Sequence, residues 1–213
     1  LKFPFLRKIG WKGFIDGQNS GVYHATPLSR LNASDGMATP LAQKEYEHMY
    51  HTLGGKPVHA TLAMHWARLI ELLYSAERFL ELALDPDITG KELRAKPGPI
   101  PGEGVGIVEA QRGTLTHHYW TDDRGIVTKV NIIVGTTNNN AAICMSIKKA
   151  AEGFIRKGEE VKEGILNMVE MAFRAYDPCF SCATHSLPGE MPLIVEIRGS
   201  GGELLQRIMR NIY

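Results

Sequence analysis

The residues best suited to chemistry lie near the end of the chain, in the segment DPCFSCATH that runs from Asp177 to His185. It carries two of the three cysteines in the sequence. Two thiols and an imidazole at positions i, i+3 and i+6 can all turn toward one metal ion, yet the common protein metal sites take four ligands. The segment therefore predicts part of a metal site, with further ligands supplied from elsewhere.

The spacing of Cys179 and Cys182 is compatible with thiol–disulfide exchange, with zinc, with an iron–sulfur cluster, or with no special role. Redox pairs of the thioredoxin type usually stand at a helix N-terminus, whereas this pair follows a predicted helix and Pro178, which disfavours the redox interpretation. A structural zinc site would need a fourth ligand. Cys144 or one of the other seven histidines could provide it.

Arg112, in the segment EAQRGTL, is the second residue of interest. It stands where an irregular, glycine-rich segment enters a predicted strand, a place where a guanidinium can be fixed over a cavity. The alternative is a surface arginine paired with an acid such as Glu109, which would contribute little stability.

The elements that must position these residues follow from the apolar pattern. Apolar residues three and four apart predict helices at 41–53, 58–84, 142–156 and 160–176. We expect the long helix 58–84 to pack against 160–176. Residues 106–110, 113–121 and 126–134 are β-branched and aromatic, and the turn DDRG predicts a hairpin between the last two.

The remaining segments are rich in turn-forming residues. Residues 1–40 and 95–106 predict mostly loop, and the tail from residue 191 predicts one strand, a turn and a short helix. The resulting class is α+β: mainly α-helical, with long packed helices and a small antiparallel β-sheet beside them.

Composition excludes several classes of partner. The chain has 213 residues, 44% of them hydrophobic, with 24 Lys and Arg against 23 Asp and Glu. This balance does not favour nucleic acid or anionic lipid, and no apolar run approaches the length of a membrane span. Three cysteines fit a reducing, cytoplasmic location. The absence of an initiator Met suggests that the sequence begins part-way through a longer protein.

Three segments in order, GEGVGIVEAQRGTLTHHY, VGTTNNNAA and RAYDPCFSCATH, together resemble the second half of the large, catalytic subunit of nickel–iron hydrogenases. The resemblance covers nearly all of the chain. The segments HHY and SCATH look most like the cytoplasmic, cofactor-coupled group, whose members pass electrons toward heterodisulfide reductase, deazaflavin or nicotinamide.

The resemblance implies a role for each candidate residue. Cys179 would be a terminal thiolate on nickel and Cys182 would bridge nickel and iron, while the iron carries cyanide and carbon monoxide. Arg112 would hang over the open metal position, and Asp177 would pair with it. One departure is visible, because Gln111 stands where the family usually has proline before this arginine.

Two further site residues are implied in the same way. Thr136 would hydrogen-bond a cyanide, and His185 would bind a nearby magnesium ion. The remaining metal ligands would be a second Cys-x-x-Cys, which the family carries near the start of the large subunit.

The implied activity is the interconversion of H2 with protons and electrons, the electrons leaving through iron–sulfur clusters of a small partner subunit toward further electron-acceptor subunits. The N-terminal half of the large subunit, in the same or a separate chain, and a maturation endopeptidase would be the other partners. The alternatives are a zinc-stabilised structural domain and a metal-free or split-chain assembly subunit.

The resemblance also divides the chain into residues 1–185, the C-terminal half of the large-subunit domain, and residues 186–213, a maturation tail that an endopeptidase removes. Removal after His185 would let Cys182 close the metal centre. Intact mass spectrometry of the chain from an active complex should therefore show a C-terminus at His185. A fully active enzyme that ends at Tyr213 would contradict this prediction.

Overall fold

A computed structural model describes residues 3–96, 98–184 and 193–210. The chain divides into two compact units, Leu1–Pro178 and Cys179–Tyr213. The first unit contains helices α1 (Pro27–Ala33), α2 (Pro40–Thr52), α3 (Ala63–Ala83), α4 (Gly135–Asn138), α5 (Asn140–Phe154) and α6 (Glu163–Arg174), a 3-10 helix (Pro86–Thr89), and strands β1 (Glu103–Ala110), β2 (Gly113–Thr121) and β3 (Val127–Ile133). The second contains α7 (Phe180–Thr184), β4 (Leu193–Arg198) and β5 (Leu204–Arg210).

This mixture of helices with a small antiparallel sheet is the predicted α+β class. Four predicted helices correspond to α2, α3, α5 and α6. No helix among the described residues is both long and apolar enough to cross a membrane.

Helix α1 is an element that the prediction of loop for residues 1–40 missed. The Thr26 hydroxyl caps its N-terminus by accepting from the Ser29 N–H at 3.3 Å, and Pro27 occupies the first turn, where a missing N–H costs nothing. Two turns are too short to show an apolar period, so capping residues were the available signal.

Helices α1, α2 and α3 enclose the core of the first unit. Met49 of α2 and Met64, Ala67 and Ile70 of α3 are among its fully buried side chains. Glu77 of α3 caps α2: its carboxylate accepts from the Thr39 hydroxyl at 2.6 Å and from the first backbone N–H groups of α2. The Thr39 hydrogen bond is the main cause of the lowered pKa of Glu77.

The prediction that the long helix 58–84 packs mainly against the helix at 160–176 was wrong. Helix α3 packs along α1 and α2, whereas α6 packs along α5. The end of α6 is tied to α3 through a hydrogen bond of 3.0 Å from Arg68 to the Ala175 carbonyl. Sequence periodicity shows that a helix has an apolar side, but it does not show which other helix that side meets.

The first unit's sheet has the order β1-β2-β3, antiparallel throughout. The DDRG turn joins β2 to β3 as predicted, and the Asp122 carboxylate stabilises it by accepting from the Arg124 and Ile126 N–H groups, each at 2.9 Å. Strand β1 begins at Glu103, inside the stretch predicted as loop, because pairing with β2 extends over its glycines.

The second unit corrects the prediction for the tail. The segment expected to be a short helix is strand β5, which pairs antiparallel with β4 in a register that sets Val195 opposite Ile208. The turn between them includes Gly202 at a φ of +85°, a left-handed conformation that glycine adopts easily. Apolar residues in LLQRIMR fit either period, and the adjacent strand provides the hydrogen-bonding partner that decides for β.

Candidate metal centre

Arg112 lies in the tight turn between β1 and β2, at the junction where the sequence suggested a fixed guanidinium. Its Nε donates to the backbone carbonyl of Asp177 at 2.8 Å and lies 3.1 Å from the Asp177 carboxylate oxygen Oδ2. The alternative partner, Glu109, is not the one the arginine takes. One nitrogen thus joins two residues that are 65 positions apart in the chain.

Asp177 is held in an uncommon backbone conformation. Its φ of 50° is left-handed, which aspartate tolerates better than bulkier residues do. Its N–H donates to the Arg174 carbonyl at 2.9 Å, closing the end of α6, while the preceding Tyr176 is buried. These contacts set the direction of the Asp177 carboxylate toward Arg112.

Close backbone contacts fix the position of the Arg112 turn. Gly113 has a φ of +147°, and a Cβ there would lie 2.1 Å from the Ala25 carbonyl oxygen. Gly135 lies against the same place, since a Cβ on it would be 3.2 Å from the Arg112 carbonyl carbon. A side chain at Gly113 would overlap the Ala25 oxygen, and one at Gly135 would press on the Arg112 turn.

Thr136 is brought to this region by its neighbour Gly135. It is buried, with 3% of its surface exposed, and it lies in the short helix α4 that packs against β2. The structure therefore brings Arg112, Asp177 and the Gly135–Thr136 segment together within the first unit. Their catalytic roles remain predictions.

Cys179 and Cys182 belong to the second unit, where their sulfur atoms are joined as a disulfide. Helix α7 starts at the residue after Cys179, and the Cys182 N–H points to the Cys179 sulfur at 3.4 Å. The pair does follow α6 and Pro178, but the helix that begins beside it was missed. Redox pairs of the thioredoxin type also stand at a helix N-terminus, so the position of this pair does not disfavour a redox role.

The donor chemistry of the pair fits two ligands of a metal centre. Sulfur atoms close enough to bond to each other can, once reduced to thiolates, both reach one metal ion. No group of three or more His, Cys, Asp or Glu side chains among the described residues could hold a metal by itself. A complete zinc set is therefore absent from the described part of the chain; Cys144, exposed on α5, completes none there, and His185 lies outside it.

His24 is a partly buried histidine that the sequence did not single out, and its ring lies near Tyr176, which precedes the cysteine pair. Its ring lies 5.3 Å from that of Tyr176, between ring centroids, and its Nε2 has no hydrogen-bond partner among the described residues. Burial first, and the nearby His59 second, lower the pKa of His24 to about 4. The imidazole is therefore neutral at physiological pH.

Comparison with known proteins places these residues in a family. A family model for nickel-dependent hydrogenases matches residues 20–185, a span that includes every candidate site residue. The chain belongs to the nickel-dependent hydrogenase family. It is 51% identical over 208 residues to an iron-sulfur subunit of the F420-non-reducing hydrogenase of Archaeoglobus profundus, covering 98% of this chain and 43% of that protein.

Other hydrogenases show the same relationship. The chain is 41% identical over 212 residues to the β subunit of the NAD-reducing hydrogenase HoxS of Cupriavidus necator, covering 99% of this chain and 42% of that protein. The crystal structure of an NAD+-reducing NiFe hydrogenase in the H2-reduced state matches with a TM-score of 0.73 at 43% identity, over 79% of this chain and 37% of that one. The chain thus spans less than half the length of these hydrogenase subunits.

The low pKa of His24 predicts a specific pH dependence. As the pH falls below 6.5, His24 becomes protonated in the unfolded chain, whereas in the folded chain it stays neutral until about pH 4. The free energy of unfolding should therefore fall as the pH is lowered from 6.5 to 4. If the titration runs to completion, the free energy of unfolding falls by an amount on the order of 3 kcal/mol. Denaturant titrations at several pH values should show a shallower fall for His24→Gln, because glutamine has no proton to take up. Equal slopes for the parent and His24→Gln would contradict the prediction.

Proposed function

We propose that this chain forms part of the catalytic subunit of a nickel–iron hydrogenase that interconverts H2 with protons and electrons. The observation that carries the proposal is the Arg112–Asp177 ion pair. Both residues of the pair lie within the span that matches the family. An arginine held this way is a fixed positive charge at Asp177, and Cys179 follows Asp177 by two residues in the sequence.

Cys179 and Cys182 would hold the nickel–iron centre through their two thiolates. When bound, this centre would supply the site at which H2 is split heterolytically. Both cysteines would bind the centre as thiolates, because the thiolate and not the thiol or the disulfide is the metal ligand.

The chain's other residues would shape the surroundings of the centre. Arg112 and Asp177 provide fixed charges where charge separates, which stabilises it without reorganisation. The Thr136 hydroxyl would donate to a cyanide, and carbon monoxide would complete the iron ligands. His185 would hold magnesium.

The other metal ligands and a large apolar surface would come from the N-terminal half of the large subunit. Helix α3 supports this proposal because it is apolar on two opposite sides. One side is buried in the core, and the other carries Leu69, Leu72, Ala76, Phe79, Leu80 and Ala83. On that second side Leu72 is 64% exposed and Phe79 is 75% exposed.

The apolar residues on this second side of α3 recur every three or four positions. A helix face with this spacing typically packs against another helix. Burying each leucine would contribute about 1.5–3 kcal/mol. An exposed apolar stripe of this length marks an interaction site in a monomeric fold. More than half the length of the A. profundus relative lies outside the match, so there is enough chain to cover it.

Electrons would pass to a small subunit with iron–sulfur clusters, then on to further electron-acceptor subunits in the cytoplasm, and a maturation endopeptidase would remove residues 186–213. The match to the family ends at residue 185, which supports this boundary. Relatives named as F420-non-reducing and as NAD-reducing are both similar, so we propose the cofactor-coupled group without choosing among its acceptors.

Two substitutions test the catalytic proposal in the assembled enzyme. Cys179→Ser should abolish H2 uptake together with nickel binding, because a neutral hydroxyl does not replace a thiolate. Arg112→Lys should keep nickel yet lose most activity, since lysine has a methylene carbon in place of Nε and cannot donate from that position to Asp177. H2 uptake and nickel content by mass spectrometry are the measurements.

Arg124→Lys is the matched control, because Arg124 also pairs with an aspartate at a hairpin turn, Asp122 at 3.0 Å, but belongs to the exposed β2–β3 turn. It should leave both activity and nickel unchanged. Full H2 uptake by Cys179→Ser or Arg112→Lys would overturn the assigned roles.

The α3 surface is tested by charge. Leu72→Glu combined with Leu80→Glu in the intact large subunit should prevent assembly of soluble enzyme, because two carboxylates would be buried without partners. Ser75→Glu, which adds the same charge at an exposed polar position of the same helix, should assemble normally. Recovery of both variants in equal yield by size-exclusion chromatography would show that the α3 surface is not covered.

A further inference from the structure

Asn139, between α4 and α5, is a fully buried polar residue in contact with the backbone of Arg112. Its Oδ1 accepts from the Ala25 N–H at 2.8 Å, and its Nδ2 donates to the Ala25 carbonyl at 2.9 Å and to the Arg112 carbonyl at 3.3 Å. One side chain therefore joins three segments that are distant in sequence.

The carboxamide is the chemical group that these contacts require. An asparagine side chain offers two N–H donors and one acceptor oxygen, and here both donors and the oxygen are engaged. Aspartate would lack the donors. Alanine would leave the Ala25 N–H and two carbonyls without this partner, which is costly for buried polar groups.

The same turn is held from its other side. Arg30 donates to the Ala110 carbonyl at 2.6 Å, and a two-pronged ion pair with Glu71 fixes its guanidinium at 2.6 and 2.7 Å. The backbone on both sides of Gln111 is thus tied to the helical core. Gln111 itself, unlike proline, leaves φ unconstrained, so these external contacts determine where the Arg112 side chain starts.

Asn32 shows what a purely structural version of this interaction looks like. Its Oδ1 accepts from the Val58 N–H at 3.0 Å and its Nδ2 donates to the Val58 carbonyl at 2.7 Å, the same paired contact that Asn139 makes with Ala25. The two residues differ in their third hydrogen bond: Asn139 donates to the Arg112 carbonyl, whereas Asn32 accepts from the Tyr50 hydroxyl at 2.8 Å.

We propose that Asn139 is a positioning residue for hydrogen cleavage: its carboxamide fixes the backbone of Arg112 and thereby the place of the guanidinium beside Asp177. The proposal rests on the proposed function for its catalytic consequence. Its structural consequence, a rigid Arg112 turn, is independent of that function.

Asn139→Ala, Asn32→Ala, Arg112→Lys and the double variant Arg112→Lys/Asn139→Ala should be compared in the assembled enzyme. A misplaced catalytic group costs on the order of 100-fold in rate, so Asn139→Ala should lower kcat by that order. In the Arg112→Lys background the same change should cost less than about twofold further, because residues that act through one another are not additive. Asn32→Ala should also lower Tm but change kcat less than about twofold.

Hydrogen exchange gives a readout that does not depend on turnover. Peptides that span residues 110–116 should exchange faster in Asn139→Ala than in the parent or in Asn32→Ala, because the turn loses its buried anchor. Unchanged exchange there would overturn the proposal. So would equal fractional losses of kcat from Asn139→Ala in the two backgrounds, or an equal effect of Asn32→Ala on kcat. Full activity of Arg112→Lys would instead refute the function proposed for Arg112, and the exchange measurement would still decide the role of Asn139.

Discussion

The structure of the candidate site depends on the close meeting of backbone segments around the β1–β2 turn. Gly113 approaches Ala25, Gly135 approaches Arg112, and the Asn139 carboxamide joins them. A side chain in place of Gly113 would separate its turn from Ala25. Because protein interiors are packed without slack, a turn confined in this way transmits its position to the side chain it carries. The Arg112 guanidinium then needs only one well-placed partner.

The backbone conformation at the end of α6 positions that partner, Asp177. The left-handed backbone at the end of α6 turns the chain so that both the carbonyl and the carboxylate of one residue face the same nitrogen. The ion pair is partly exposed and contributes little to stability by itself. The ion pair instead fixes the position of the guanidinium, since it joins a turn held by the sheet to a helix end held by the core. A charged group held by two rigid elements does not have to reorganise as charge develops near it.

Much of this architecture could be predicted from the sequence, for identifiable reasons. The long helix α3 and the β2–β3 hairpin follow from periods of 3.6 and 2 that persist over many residues. The resemblance to hydrogenases, rather than any local pattern, predicted that Arg112 and Asp177 would pair. Helices α1 and α7 were missed because one or two turns carry no measurable period, and β5 was assigned wrongly because its apolar residues fit both periods.

Asn139 shows a limit of a different kind. Three consecutive asparagines occupy positions 138–140, and sequence alone gives no reason to choose among them. The break between α4 and α5 decides: it turns Asn138 toward the Thr114 carbonyl at 2.8 Å and Asn139 toward Ala25 and Arg112, while Asn140 begins a helix. A residue that acts through backbone contacts has no side-chain signature of its own, because any segment can offer an N–H and a carbonyl. Its role emerges only when the fold shows which backbone it holds, and here that backbone belongs to Arg112.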